Sequence, residues 1–203
     1  MEKECLVEFE IAGPAAMFTR PDSGAAPISY PIPTFSAAKG MFEAIARLRS
    51  AYICPIKVEI CSPIRFHKYV TNYGGPLRKG SQIEKKSSYQ LPATILINVC
   101  YRIYGEIKPM KNPPIPVNHL HALQEVFLRR LKRGQCFYTP CLGWKEFVPS
   151  YVGIFRPETI VNKEINQILP SLLHSVFDSP VEGKVMPIFR QNVEIKEGVL
   201  KYA

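Results

Sequence analysis

A chain of 203 residues with a hydrophobic fraction of 46% can bury one sizeable core without disulfide or metal staples, with room for a small appended region. Its 26 Lys and Arg outweigh 17 Asp and Glu for a formal charge of +9, which favours polyanions, because each cation set against a phosphate releases condensed counter-ions. The six cysteines, Cys5, Cys54, Cys61, Cys100, Cys136 and Cys141, include no Cys-x-x-Cys pair and no Cys/His set at zinc-finger spacing, which argues against structural zinc, and no apolar run is long enough to span a bilayer. The opening Met1-Glu2-Lys3-Glu4 lacks the cationic and apolar regions of a signal peptide. A cytoplasmic protein with free, mostly buried thiols, no cofactor and no membrane partner is therefore expected.

Leu6 to Ile11 alternates, with Val7, Phe9 and Ile11 on one face, which predicts a half-buried strand ended by Gly13-Pro14. Thr34 is a candidate cap for a helix whose apolar positions Ala38, Met41, Phe42, Ile45 and Leu48 recur at helical spacing. A second strand is expected over Ile53 to Ile60, with Ile56, Val58 and Ile60 on one face. His67 to Tyr89 is polar, Gly-rich and basic, and reads as a mobile loop or a protruding hairpin. A long strand follows over Ala93 to Ile107, and the Pro113-Pro114-Ile115-Pro116 linker comes after it. The spacing of Leu120, Leu123, Phe127 and Leu131 predicts a second helix from Asn118 to Arg133, stopped by Gly134.

A further strand is expected near Phe147 to Phe155. The order strand, helix, strand, strand, helix, strand is that of an α+β, ferredoxin-like unit, the scaffold of RNA-recognition domains. Residues 1–155 are assigned to this RNA-binding unit. Residues 156–203 are assigned to a small, antiparallel, β-rich region, with a short helix over Glu158 to Leu169 and with Leu172-Leu173, Val176-Phe177 and Val193 to Tyr202 as apolar signals. Val199 and Leu200 there are candidate docking residues.

Two basic segments carry the candidate chemistry. Arg129, Arg130, Lys132 and Arg133 close the second helix, where cations favour the helix dipole, and Phe137, Tyr138 and Trp144 follow beyond Gly134. Cations beside rings suit single-stranded nucleic acid, through phosphate contacts and base stacking. In the polar segment Lys68, Arg78, Lys79, Lys85 and Lys86 face a single acid, Glu84, which suits a polyanion-binding finger. Lys39, in the first turns of helix one, is a further phosphate candidate, and Gly134 and Gly143 serve either backbone geometry or close approach to a phosphate. For metal-independent RNA cleavage a side chain must deprotonate a 2′-hydroxyl while another protonates the leaving oxygen, and His119 and His121 are the candidates for those roles. The sequence holds no nucleotide-hydrolase phosphate loop, no Ser/His/Asp set and no carboxylate pair for a two-metal nuclease.

The run Ser29-Tyr30-Pro31-Ile32-Pro33-Thr34-Phe35-Ser36-Ala37-Ala38-Lys39-Gly40, together with Arg129-Arg130-Leu131-Lys132-Arg133-Gly134-Gln135-Cys136-Phe137-Tyr138-Thr139-Pro140-Cys141-Leu142-Gly143-Trp144-Lys145-Glu146-Phe147, resembles the small CRISPR-associated Cas-five family in its type I-C (subtype d) branch. The resemblance implies a ferredoxin-like domain with a small C-terminal sheet. It also implies binding of the repeat-derived 5′ handle of CRISPR RNA, within a Cascade interference complex that contains a large subunit and a backbone subunit. Several members of the family cut precursor RNA without metal, using a tyrosine late in helix one and a lysine-histidine pair at the start of helix two. Those positions fall here on Ala46 and on Ala122-Leu123. An RNA-binding Cascade subunit is the expected function. An active endoribonuclease using His121 and a recognition-domain-like protein unrelated to CRISPR remain the alternatives.

Overall fold

Alternating apolar strands that flank two amphipathic helices fold into a mixed α/β structure in which an antiparallel sheet carries helices on one face. A computed structural model describes residues 5–24, 26–73, 78–110, 118–176 and 185–202. The elements, in chain order, are β1 (Leu6–Ala16), α1 (Phe35–Ile45), β2 (Ala51–Ile60), β3 (Phe66–Tyr73), α2 (Gly80–Glu84), β4 (Tyr89–Pro109), α3 (His119–Arg133), β5 (Tyr151–Gly153), β6 (Gln167–Ser175), β7 (Ile188–Lys196) and β8 (Val199–Lys201). The strands join in the order β5-β1-β4-β2-β8-β7-β6, with β3 paired to the first part of β4. The Pro113 to Pro116 linker and the expected signals at Phe177 and Asp178 lie outside the described residues.

The helix-bearing face is set by the strand alternation. Phe9 pairs with Ile103 and Ile11 with Tyr101, and all four side chains are buried. Gly13-Pro14 does not end β1, contrary to expectation. Pro14 has no N–H to donate, but it falls opposite Asn98, whose φ of +53° interrupts the ladder on the partner strand, and pairing resumes at Ala15 with Ile97. In β2 a bulge between Pro55 and Lys57 changes the expected pattern. It puts Ile53 and Val58, an odd number of residues apart, against Ile107 and Ile103 on one face, while Ile56 is left partly exposed.

Both long helices begin on side-chain caps, since the Thr34 hydroxyl accepts from Ala37 N at 3.2 Å and the Asn118 carboxamide accepts from His121 N at 3.4 Å. Helix α1 ends at Ala46, so Leu48 packs against the core from the segment beyond it. Helix α3 buries Leu123, Phe127 and Leu131 and stops at Gly134, whose φ of +63° is the left-handed C-cap conformation. Phe42 packs edge-on to Phe9 at 4.9 Å and lies 5.7 Å from Phe127, which ties both helices to the sheet.

Three expectations for the C-terminal part need correction. Residues 158–166 form turns rather than a helix, because Asn162 N–H donates to Ile60 O at 2.8 Å and the Asn162 side chain accepts from Glu164 N at 3.1 Å, which commits these groups to non-helical bonds. The expected strand at Phe147 to Phe155 shortens to β5. Leu200 is fully buried and Val199 half-buried, because β8 inserts beside β2 with Val58 opposite Leu200, so neither is an exposed docking residue. Of the thiols only Cys5 is fully buried and Cys136 is exposed, fewer buried than the composition suggested.

Candidate nucleic-acid interface

Helix α3 and the connection that follows it fold back onto the end of α1. The last carbonyls of α1 are orphaned by the helix end, and they are satisfied from outside. Phe137 N donates to Ala44 O at 2.8 Å, Tyr138 N donates to the same carbonyl at 3.1 Å, and the Arg130 guanidinium donates to Ile45 O at 3.0 Å. These bonds hold the Phe137 and Tyr138 rings at the surface, 54% and 45% exposed, with Arg130 5.7 Å from the Phe137 ring centre. Arg130 is thus half-buried and structurally committed, while the exposed side chains of Arg129, Lys132 and Arg133 form no ion pair or hydrogen bond with another described residue.

Trp144 is fixed from two sides. Its indole N–H donates to the Thr19 hydroxyl at 2.9 Å and its ring stacks on Phe147 at 5.9 Å. Phe147 in turn meets Tyr69 of β3 edge-on at 5.8 Å, so the two basic segments of the sequence are joined by an aromatic row. Gly143 belongs to this turn, with φ of +90°, and a Cβ there would collide with the Met17 carbonyl. Gly134 faces open space, so its role is the left-handed turn.

The polar segment is a hairpin rather than a loop. β3 pairs with β4 from Phe66 opposite Leu96 to Tyr73 opposite Tyr89, and α2 sits in the connection. Lys68, Lys79, Lys85 and Lys86 are exposed, and the half-buried Arg78 donates to Ser87 O at 3.0 Å. Lys39 lies on α1 with its ammonium 5.6 Å from the ring centre of Tyr52.

His119 and His121 occupy the first turn of α3, and His121 Nδ1 lies 3.8 Å from Cys5 Sγ. Two of the positions that the resemblance sets against the cleavage residues lie together elsewhere. Ala46, 2% exposed, and Leu123, fully buried, line one cavity of about 170 Å3 together with Glu43, Arg47, Arg49 and Tyr52. Neither an alanine methyl nor a leucine side chain transfers a proton. Among the described residues no group of three or more His, Cys, Asp or Glu side chains gathers to hold a metal ion.

The sheet face away from the helices carries a charge network that sequence reasoning missed. Glu10 is fully buried and accepts from the Arg156 guanidinium at 2.6 Å, from Arg156 N at 3.1 Å and from the Thr159 hydroxyl at 3.1 Å, with Arg102 at 3.6 Å. Arg102 also donates to the carbonyls of Arg156 and Thr159. Burial by itself pushes the Glu10 carboxyl up, but the hydrogen bonds and charge of Arg156 with the Thr159 hydroxyl hold it below the ordinary carboxylate value. Nearby, Glu59 accepts from Lys57 at 2.7 Å and from the Tyr104 hydroxyl at 2.9 Å, and the Lys57 ammonium lies 3.8 Å from the Tyr104 ring centre. Phe155 covers Tyr104 at 5.3 Å. Alternation on β1, β2 and β4 puts Glu10, Glu59 and Arg102 on one face and was the available signal; Arg156, far off in sequence, gave none.

Residues 6–176 match the family model described as CRISPR-associated protein (Cas_Cas5). The chain belongs to this Cas-five family, in its subtype d branch. It is 28% identical to the CRISPR pre-crRNA endoribonuclease Cas5d of Mannheimia succiniciproducens, over 96% of this chain and 93% of that protein. The namesake protein of Thermus thermophilus is 26% identical, over 96% of this chain and 90% of its own. Among solved structures, one titled as a CRISPR-associated protein superposes with a TM-score of 0.71 at 18% identity, covering 97% of this chain and 90% of the other. A chain of a CRISPR RNA-guided surveillance complex superposes with a TM-score of 0.56 at 14% identity, covering 97% of this chain and 91% of its own. These two likenesses establish the fold.

Proposed function

We propose that this Cas-five chain is the RNA-binding subunit of a type I CRISPR interference complex in the cytoplasm, that it holds the repeat-derived 5′ handle of CRISPR RNA, and that it contacts the large and backbone subunits. The observation that carries the reading is the surface at the end of α3, where Arg129, Lys132 and Arg133, without an ion-pair partner among the described residues, adjoin the exposed rings of Phe137 and Tyr138. Single-stranded RNA uses this combination, phosphates on cations and bases on rings. The hairpin cations Lys68, Arg78, Lys79, Lys85 and Lys86, with Lys39 on α1, supply further phosphate contacts. The order β5-β1-β4-β2 with a helix on each side of the central pair in sequence supports a ferredoxin-like unit over residues 1–155, with residues 156–203 as a C-terminal extension.

A second reading is retained cleavage of precursor RNA, as the names of the two relatives say of those proteins. Non-polar side chains at Ala46 and Leu123 favour binding without rapid cleavage, and any residual activity rests on His121 or His119. The test is co-expression of the chain with its operon neighbours, followed by size-exclusion chromatography and incubation of a repeat hairpin with the free protein in EDTA. The expected result is entry into a large RNA-containing particle, with slow or absent cutting. Elution only as a free monomer beside its partners, with no RNA bound, would overturn the reading. Rapid, uniform cleavage abolished by His121→Ala would establish the enzyme instead.

A further inference from the structure

The geometry points to a nucleotide subsite between the end of α1 and the connection after α3, in which the Phe137 ring stacks on a base of single-stranded RNA and Arg47 and Arg49 hold the adjoining phosphates. The assignment rests on the RNA-binding reading above and adds to it residues and a place. Neither arginine belongs to the basic segments that the sequence singled out.

The helix ends at Ala46, whose φ of −146° and ψ of 134° turn the chain into extended backbone. Beyond it burial alternates, with Leu48 packed against the core while Arg47 and Arg49 are both exposed. No carboxylate among the described residues forms an ion pair with either guanidinium, although Glu43 lies one helical turn before Arg47 and lines the neighbouring cavity. Two like charges that line one cleft, with no ion-pair partner among the described residues, favour an anion between them.

Opposite them stands Phe137. A phenyl ring 54% exposed gains little from the core, yet its position is fixed by backbone bonds from Phe137 N to Ala44 O at 2.8 Å and to Ile45 O at 3.2 Å. An exposed ring on an anchored backbone, flanked by Arg130 at 5.7 Å and Tyr138 at 5.6 Å, is a stacking platform for a base. Arg47, Leu48, Arg49 and Phe137 together line an open cleft of about 420 Å3, inside the range of about 300–1,000 Å3 usual for small-ligand sites. The cleft shares Arg47, Leu48 and Arg49 with the cavity lined by Ala46 and Leu123, so the two openings adjoin. The pairing of two guanidiniums with a flat apolar face distinguishes RNA from an acidic peptide, whose carboxylates use the cations and leave the ring idle.

The test is a salt titration of binding between the full chain and a fluorescein-labelled transcript of the repeat from the CRISPR array beside its gene. Phe137→Ala is expected to weaken binding roughly five- to 150-fold with the salt slope unchanged, and Phe137→Trp to restore it. Arg47→Ala and Arg49→Ala are each expected to lower the slope by roughly 0.7, additively in the double variant. All these side chains but Leu48 are at the surface, so thermal melting should stay at the wild-type midpoint. If wild type binds and the double arginine variant and Phe137→Ala bind equally well with equal slopes, the subsite is wrong while the RNA-binding reading stands. If wild type fails to bind the transcript at all, both fall.

Discussion

The two faces of the sheet handle charge in opposite ways. On the face away from the helices Glu10 pairs with Arg102 and Arg156, and Glu59 with Lys57, in buried or half-buried contacts. On the helix side, Arg47, Arg49, Arg129, Lys132 and Arg133 project into water with no ion-pair partner among the described residues. RNA-recognition domains commonly stack bases on the exposed sheet. Here Tyr104 on that face is hydrogen-bonded to Glu59 and covered by Phe155, and Tyr151 lies under the Arg156 guanidinium at 4.2 Å, so neither ring is a free platform. The net charge of a basic protein therefore says little about where an anion binds until the paired cations are subtracted.

The largest expected effect would break the paired side. Glu10→Ala leaves Arg156 and Arg102 without their buried counter-ion and should cost about 3–5 kcal/mol in a urea titration, with RNA salt slope unchanged in the protein that remains folded. A change in slope with no loss of stability would reverse the assignment of that face. The same network carries a pH signature. Because the Glu10 carboxyl is held below its ordinary value, its stabilisation is complete above the unfolded carboxylate pKa of about 4.3 and is lost as pH falls through the lower folded value. Urea midpoints measured downward from about pH 6 should fall more steeply in wild type than in Glu10→Gln.

Smaller effects sharpen the contrast on the helix side. Arg130→Ala removes the donor to Ile45 O and should destabilise by roughly 1–3 kcal/mol while also weakening RNA binding. Lys132→Ala should leave stability within about 0.5 kcal/mol and lower the salt slope by roughly 0.7. Equal stability losses for the two variants would mean that Arg130 is no more structural than its neighbour.

How far the fold could be read from the sequence depended on the range of the forces involved. The cap at Thr34, the start of α3 near Asn118, its apolar stripe and its Gly134 stop are local and were all legible. The bulge in β2 was not, because Ile53 and Val58 share a face only through their pairing with β4. Pro14 read as a strand end because its missing donor was visible while the compensating turn at Asn98 was not. The helix expected over Glu158 to Leu169 failed for a similar reason, since the Asn162 backbone bonds a carbonyl about a hundred residues away. At the candidate site, the run of cations and rings was plain, but the partition of Arg130 into structure and Lys132 into solvent depended on where α1 ends. Arg47 and Arg49 gave no signal of their own, because the apolar spacing through Leu48 extends the helical pattern past them.

The pairing of β8 with β2 has a consequence for assembly of the chain. Val58 and Leu200 stand opposite each other although 142 residues separate them, and Tyr202 donates to Pro33 O at 2.8 Å. Contacts of such high order close slowly, because the entropy of a long loop is lost before the contact repays it. At about 5–20 residues per second, ribosomal synthesis leaves the edge of β2 waiting for roughly 7–28 seconds before its partner strand exists. During that interval an unpaired edge rich in Ile and Val invites other strands, so yield in a fast expression host should improve when translation is slowed or a chaperone covers the edge.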